Sequence, residues 1–256
     1  MELAGTSAIV TGGASGIGAA SARALTKRGA RCVLIDLNDE LGEAVASELG
    51  GLYVKADVAD PEQVQVAVDA AAEMAPLRAL VNAAGIGAAA RTVDRDGNPH
   101  PLDLFEKVIR VNLVGCFNCL RLAAAAMART APVDADGTRG AIVNISSVAS
   151  FDGQIGQAAY SASKGGINSL TLTTARDLSA QGIRVNTITP GLIDTPIYGT
   201  GERAEAFKAK LGENVLFPHR LGTAEELASM VVEMITNDYM NGEVIRVDGG
   251  IRMPPK

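Results

Sequence analysis

Tryptophan is absent from this 256-residue sequence, and aromatic residues make up only 4% of it. This scarcity argues against a platform on which the bases of single-stranded nucleic acid could stack. Basic residues are also outnumbered, because 23 Lys and Arg face 29 Asp and Glu, for a net charge of −6. A basic surface for nucleic acid or for an anionic membrane is therefore not expected. The sequence contains no uninterrupted apolar run of about 18 residues, so no membrane span is predicted.

Cysteine and histidine are scarce, with three and two copies. An odd number of cysteines argues against a disulfide framework and favours a reducing compartment. Cys116 and Cys119 have the spacing of a metal or redox motif, but no second pair accompanies them and their surroundings have helical spacing. We therefore expect buried, inert thiols and no metal. A strand-like segment begins by Ser7 and leaves no room for a leader, which predicts a cytoplasmic protein.

Short apolar runs alternate with longer amphipathic stretches along the whole chain. The apolar runs predict strands over 6–11, 31–36, 51–57, 79–83, 140–146, 183–189 and 243–248. The stretches between them predict helices over 16–28, 39–49, 61–75, 102–129, 157–180 and 223–236. This alternation is typical of an α/β fold of the Rossmann type, with a doubly wound, mostly parallel, seven-stranded sheet and helices on both faces.

Two long irregular stretches interrupt the alternation, at 86–101 and at 190–222. No linker-like composition separates them from the rest, so we predict a single domain over 1–256 that contains both. Long loops in a compact α/β domain usually bind ligands or cover them. We interpret 86–101 as an inserted binding loop and 190–222 as a lid over the substrate.

The segment from Thr11 to Gly18 reads TGGASGIG and joins the first predicted strand to the first predicted helix. Glycine allows a tight turn and a close approach of the backbone to a ligand. The free N–H groups and the dipole at a helix N-terminus favour a pyrophosphate. A purely structural turn is the alternative. We predict cofactor contacts here from Gly12, Ser15, Gly16, Ile17 and Gly18.

Asp36 ends the second predicted strand, 18 positions after Gly18. A carboxylate at this place accepts hydrogen bonds from ribose hydroxyls and repels a 2′-phosphate. No Lys or Arg occurs in 12–18 or 37–38 to attract that phosphate. The sequence therefore predicts NAD rather than NADP as the cofactor.

The third and fourth predicted strands also end in candidate contacts. Ligands of open parallel sheets bind beyond the carboxyl ends of the strands. Candidate contacts at several strand ends are therefore stronger evidence for a cofactor site than any single motif. This reasoning adds Asp57, Val58, Asn82, Ala83 and Gly85 to the predicted cofactor site.

Tyr160 and Lys164 are four positions apart, so they share one face of a predicted helix. Ser147 lies 13 positions before Tyr160, at the end of the fifth predicted strand. An ammonium beside a phenol favours the loss of the phenol's proton. The three residues together predict a general acid–base group with a positioned cation and a hydroxyl.

These motifs, in this order over the whole chain, resemble those of the short-chain dehydrogenase/reductase family. The resemblance implies that Tyr160 is the general acid–base, that Lys164 promotes its ionisation and binds the nicotinamide ribose, and that Ser147 orients the substrate oxygen. It implies that Asn112 supports a proton relay. It also implies nicotinamide-side contacts from Pro190, Gly191, Ile193 and Thr195.

A narrower resemblance points to one subgroup, the type 2 3-hydroxyacyl-CoA dehydrogenases. It rests on 153–167, on RLG at 220–222 and on the tail 241–254. It implies NAD-linked interconversion of (S)-3-hydroxyacyl-CoA and 3-oxoacyl-CoA, a substrate-pocket position for Gln154, and a homotetramer. Ala83 departs from the cysteine of the animal members, and both irregular stretches differ in many residues.

Three alternatives stay open. The substrate could be another secondary alcohol such as a steroid, the reaction could be NADPH-linked reduction of a 3-oxoacyl carrier protein, or the chain could be a non-catalytic dinucleotide-binding scaffold. If the substrate is an acyl-CoA, local Lys or Arg side chains must bind its phosphates, because the net charge of the protein is negative. The candidates in the irregular stretches, each also explained as solvated surface charge, are Arg91, Arg95, Arg203, Lys208 and Lys210.

Overall fold

Seven parallel strands form one sheet in the computed structural model, which describes residues 1–199 and 201–255. The strands are β1 (Ser7–Thr11), β2 (Arg31–Asp36), β3 (Leu52–Lys55), β4 (Leu77–Asn82), β5 (Gly140–Ile145), β6 (Ile183–Pro190) and β7 (Val244–Val247). Their order across the sheet is β3-β2-β1-β4-β5-β6-β7, and every neighbouring pair is parallel. The predicted fold class is confirmed, with a sheet that is parallel throughout rather than mostly so.

Helices surround the sheet, and capping residues in the sequence account for where two of them begin. The helices are α1 (Gly16–Lys27), α2 (Asp39–Leu49), α3 (Pro61–Met74), α4 (Leu102–Ile109), α5 (Gly115–Ala128), α6 (Ala158–Leu178), α7 (Glu202–Gly212) and α8 (Ala224–Thr236). The Asp60 side chain accepts hydrogen bonds from two backbone N–H groups at the start of α3. Thr223 and Glu226 form a capping box at the start of α8.

Successive side chains of each central strand enter two separate cores. Ala8 and Val10 of β1 pack with residues of α1, α2 and α8, whereas Ile9 between them packs with residues of α3 and α5. Leu34 of β2 joins the first core and Val33 the second. Burial on both faces explains why the strand segments are continuously apolar rather than alternating.

The stretch from Leu102 to Ala128 is helical throughout, as the predicted helix 102–129 requires, but it contains a π-helical turn over Arg110–Val114. Within the described residues it is the one helical stretch long and apolar enough, by length and composition, to cross a membrane. Of its apolar window, 56% is buried inside the fold. Cys119 and Leu120 of α5 belong to the second core. Packing against the sheet therefore accounts for the apolar composition.

The order of the strands leaves a crevice beyond the carboxyl ends of β1 and β4. After β3 the chain crosses to the other side of β1, so connections leave these two neighbouring strands in opposite directions. The Thr11 hydroxyl ties the two ends together, because its Oγ1 accepts hydrogen bonds from the N–H groups of Ala83 and Ala84, both at 3.1 Å. The predicted strand ends therefore do meet at one edge.

Two predicted segments differ from the structure. The strand predicted over 51–57 is shorter, because the chain leaves the sheet after Lys55 and turns at Asp57, whose side chain accepts from the Ala59 N–H at 2.9 Å. The stretch 190–222, predicted to be irregular, contains the whole of α7. The amphipathic run at 207–211 was the sequence signal for that helix.

Candidate active site

A cleft of about 1110 Å³ opens beyond the carboxyl ends of the strands. Its volume is sufficient for a dinucleotide together with the reacting part of a substrate. Ser147 and all the predicted cofactor residues except Asn82 line it: Gly12, Ser15, Gly16, Ile17, Gly18, Asp36, Asp57, Val58, Ala83, Gly85, Tyr160, Lys164, Pro190, Gly191, Ile193 and Thr195. Asn82 is buried below the cleft, where its amide donates to the Cys116 carbonyl at 3.2 Å and to Asn144 Oδ1 at 2.9 Å.

The glycine-rich turn is a cradle made of backbone atoms. Gly12 has a φ of +65° and Gly16 a φ of +50°, both in the left-handed region that favours glycine. A Cβ added to Gly18 would lie 2.0 Å from the Gly12 carbonyl oxygen, and one added to Gly12 would lie 2.9 Å from the Ala84 nitrogen. The first N–H groups of α1 have no partner within the helix and face this cradle. The turn therefore fits a pyrophosphate.

Asp36 is held at the cleft edge by three backbone N–H groups. One carboxylate oxygen accepts from Leu37 at 2.7 Å and from Asn38 at 3.1 Å, and the other accepts from Ala14 of the glycine-rich turn at 3.1 Å. These bonds fix the carboxylate beside the cradle while lone pairs remain available. Its position fits recognition of a hydroxyl-bearing ribose.

Ser147, Tyr160 and Lys164 meet in the middle of the cleft, where β5 ends beside the first turns of α6. Lys164 is only 5% exposed, its Nζ donates to the Ile145 carbonyl at 2.9 Å, and it lies 5.8 Å from the centre of the Tyr160 ring. The Ser147 hydroxyl accepts from the Ala149 N–H at 3.1 Å, which leaves its own hydrogen free to be donated. The arrangement supplies a phenol, a cation and a hydroxyl to one reacting oxygen.

Asn112 lies behind this group in the π-helical turn and does not line the cleft. Its side chain accepts from the Ile86 N–H at 2.8 Å and donates to the Ile86 carbonyl at 2.9 Å. It also donates to Ser163 Oγ at 3.0 Å, and Ser163 donates to the Tyr160 carbonyl at 2.7 Å. Asn112 is therefore a positioning residue that connects the loop after β4 to the helix that carries Tyr160.

The structure places Gln154 outside the cleft lining, whereas the resemblance assigned it to the substrate pocket. Its amide instead donates to the Pro254 carbonyl at 3.0 Å, and the Ile155 N–H donates to the Pro255 carbonyl at 3.0 Å. Gln157, three positions further along the chain, lines the cleft. The segment before Tyr160 and the C-terminal tail thus hold each other beside the substrate end.

The cleft residues that were not predicted include Lys107, Gln157, Tyr198 and Met253. They come from α4, the start of α6, the lid and the tail, which are distant in the sequence. No local spacing or periodicity relates them, so sequence reasoning had no signal that would bring them together. A partial signal existed for Tyr198, because it follows the predicted contact Thr195 by only three positions.

An ion pair attaches helix α7 to the segment that follows β6, within the lid. Lys208 of α7 lies 2.8 Å from an Asp194 oxygen and 2.9 Å from a Glu205 oxygen. These carboxylates raise the pKa of Lys208, since both hydrogen-bond its charged form. Asp194 sits between the predicted nicotinamide-side contacts Ile193 and Thr195. Lys208 is therefore engaged within the protein and is a poor candidate for a CoA contact.

The cysteines match the prediction of inert thiols. Cys32, Cys116 and Cys119 are free and buried. Burial raises the pKa of Cys116 to about 12 and that of Cys119 further still, so both stay protonated. No group of three or more possible metal-ligating side chains occurs within residues 1–199 and 201–255.

Comparison with known proteins shows the family to which the chain belongs. The model of the family described as short chain dehydrogenase matches residues 6–206. The chain belongs to this family, and it is an oxidoreductase of a group that works with a nucleotide cofactor. The family resemblance drawn from the sequence is confirmed.

Within the family, the chain is similar over nearly its full length to proteins named 3-hydroxyacyl-CoA dehydrogenase type-2. It is 47% identical to those of Bos taurus and Homo sapiens, with 98% of this chain and 97% of each relative covered. The crystal structure of the protein of that name from Mycobacterium avium superimposes with a TM-score of 0.93 at 45% identity and covers 98% of both chains. A 3-alpha-(or 20-beta)-hydroxysteroid dehydrogenase from Mycobacterium tuberculosis is 36% identical, covering 97% of this chain and 90% of that one.

The glycine-rich cradle generates the first prediction. Gly18→Ala places a Cβ against the Gly12 carbonyl, so the turn must move, and we expect the affinity for NADH and NADPH to fall by at least about tenfold. Titration of nicotinamide fluorescence measures this. Gly165→Ala is the matched control, because a Cβ there would meet no atom within 4 Å. Equal affinities in the two variants would contradict the interpretation.

The lid attachment generates the second prediction. Lys208→Met removes both ion pairs of α7, and we expect amide hydrogen exchange across 202–212 to become about fivefold faster, the upper range for a partly exposed pair. Lys210→Met is the control, since Lys210 lies on the same helix and makes no ion pair within the described residues. The same exchange rate in both variants would show that the pair does not hold the lid.

Proposed function

We propose that the chain is an NAD-dependent oxidoreductase that interconverts (S)-3-hydroxyacyl-CoA and 3-oxoacyl-CoA. The observation that carries the proposal is the meeting of Ser147, Tyr160 and Lys164 in the same cleft as the glycine-rich cradle and Asp36. The names of the relatives that cover nearly the whole chain support the substrate class.

Asp36 supports NAD over NADP. Its carboxylate is fixed beside the cradle by three N–H groups, so it accepts from ribose hydroxyls and would repel a 2′-phosphate. NAD, when bound, supplies the acceptor or donor of a hydride. Asp57 and Val58 follow β3 and would meet the adenine, while Gly191, Ile193 and Thr195 follow β6 on the other side of β1 and β4 and would meet the nicotinamide.

The chain's own residues then handle the reacting oxygen and its proton. The Ser147 hydroxyl donates to the oxygen and orients it. The Tyr160 hydroxyl donates its proton to that oxygen when a ketone is reduced and removes the proton when an alcohol is oxidised. The Lys164 ammonium stabilises the phenolate that forms, because it lies 5.8 Å from the ring and is shielded from solvent.

The substrate end of the cleft suits an acyl chain. Val148, Leu192 and Met253 line it, and they belong to an apolar cluster with Val215 and Ile251 from the lid and the tail. Apolar walls bind a hydrocarbon chain by removing it from water. For the phosphates of CoA, four cations of the two irregular stretches remain candidates: Arg91, Arg95, Arg203 and Lys210.

Reduction of acetoacetyl-CoA tests the proposal. We expect the wild-type protein to oxidise NADH with acetoacetyl-CoA, and to use NADPH at least about tenfold less efficiently. Tyr160→Phe is expected to lower kcat by about a thousandfold with NADH affinity retained, because only the proton transfer is lost. Absorbance of the reduced nicotinamide follows turnover, and Tyr239→Phe, which removes the hydroxyl of a fully exposed tyrosine, is the control.

Two outcomes of this assay would redirect the assignment. NADH binding without turnover of any acyl-CoA would leave the family intact and favour another secondary alcohol, for which the hydroxysteroid dehydrogenase relative suggests steroids as the first panel. Efficient use of NADPH with a 3-oxoacyl carrier protein would favour that reductase instead. Full activity of Tyr160→Phe would overturn the assigned acid–base role.

We also propose that the protein is a homotetramer. Val114 and Phe117 on the α4–α5 stretch and Leu172 on α6 are nearly half exposed, and apolar side chains grouped on helices favour contact with another chain. Light scattering is expected to give a mass four times that of the 26.3 kDa chain. A monomeric mass would contradict the proposal.

A further inference from the structure

Tyr198 brings a second phenol to the substrate end of the cleft. It lies in the short helical turn Pro196–Tyr198 of the lid and lines the cleft together with Tyr160 and Ser147. Its ring contacts the ring of Phe207 on α7, with centroids 6.2 Å apart. The lid helix therefore supports the position of this phenol.

The Tyr198 hydroxyl is available as a hydrogen-bond donor. Within the described residues, no protein atom forms a hydrogen bond with it. Burial, followed by the nearby Tyr160 and Asp194, raises its pKa, so it keeps its proton at neutral pH. The hydroxyl lies on the cleft and is free to donate a hydrogen bond to an oxygen atom of a ligand.

The proposed substrate carries two oxygens close to the reacting carbon. Ser147 and Tyr160 serve the oxygen on C3, where the hydride is exchanged. The thioester carbonyl on C1 is only two bonds further along the chain, and its oxygen can only accept hydrogen bonds. The thioester carbonyl therefore requires a hydrogen-bond donor that lies near Tyr160 but does not take part in the reaction at C3.

We propose that Tyr198 is a specificity-determining residue that donates a hydrogen bond to the thioester carbonyl of the bound substrate. This inference rests on the proposed acyl-CoA function. It explains why a lid turn carries a phenol into a substrate end that is otherwise mostly apolar. It distinguishes 3-oxoacyl thioesters from ketones that lack the second oxygen.

A pair of CoA ligands isolates the proposed bond. Acetoacetyl-CoA has both oxygens, whereas S-(3-oxobutyl)-CoA has the same chain and ketone but a CH₂ in place of the thioester carbonyl. Calorimetry with the NAD⁺-loaded protein gives the dissociation constant of each. Tyr198→Phe keeps the ring that contacts Phe207 and removes only the hydroxyl, and Tyr239→Phe is the matched control.

We expect Tyr198→Phe to raise the dissociation constant of acetoacetyl-CoA about tenfold, which is the effect of one hydrogen bond. The dissociation constant of S-(3-oxobutyl)-CoA is expected to change by less than about twofold. Equal weakening of both ligands would mean a general packing role and would overturn the inference. No weakening of either would overturn it as well. In both cases the proposed function would stand.

Failure of the proposed function would be seen in the wild type instead. If wild-type protein loaded with NAD⁺ binds neither CoA ligand, the acyl-CoA assignment falls, and the role of Tyr198 falls with it. If the control variant Tyr239→Phe shows the same selective loss as Tyr198→Phe, the effect does not come from the cleft, and the inference is overturned.

Discussion

A buried ammonium is the constraint around which this active site is arranged. The Lys164 side chain is almost wholly removed from solvent, and its direct partner is the Ile145 carbonyl rather than a carboxylate. A buried charge is costly unless oxygen atoms surround it. Under the proposed function, this cation would bind the ribose hydroxyls of the cofactor and stabilise the phenolate of Tyr160. The backbone carbonyl of Lys164 accepts a hydrogen bond from the Ser146 hydroxyl at 2.9 Å, which fixes α6 against the end of β5.

A continuous path of hydrogen bonds extends from this point through the site. Ser163 on α6 connects the Tyr160 carbonyl to Asn112 in the π-helical turn. Asn112 in turn forms hydrogen bonds with both the N–H and the carbonyl of Ile86. Three elements that are far apart in the sequence are thereby held in one relative position. Rigid support of this kind keeps a catalytic hydroxyl within reach of its substrate oxygen.

The cofactor half of the site was predictable because its signals are local. A glycine-rich turn and an acidic residue at a strand end are each visible in a short stretch, and parallel strands bring their ends to one edge. The substrate half was not predictable in the same way. Gln154 and Gln157 are only three positions apart, and no sequence pattern indicates that Gln154 bonds to the tail while Gln157 lines the cleft. Tyr198 and Met253 enter it from segments that no periodicity connects.

The two halves also differ in what they are made of. The cradle around Gly12 and Gly18 consists of backbone atoms, and a Cβ at either glycine would collide with another part of the backbone. The substrate end consists of side chains such as Met253, Tyr198 and Leu192, borne by loops and a tail. Under the proposed function, mutation could therefore alter substrate choice in small steps while the cofactor half is kept. For evolution or for directed design, the lid and the tail are the adjustable part of this scaffold.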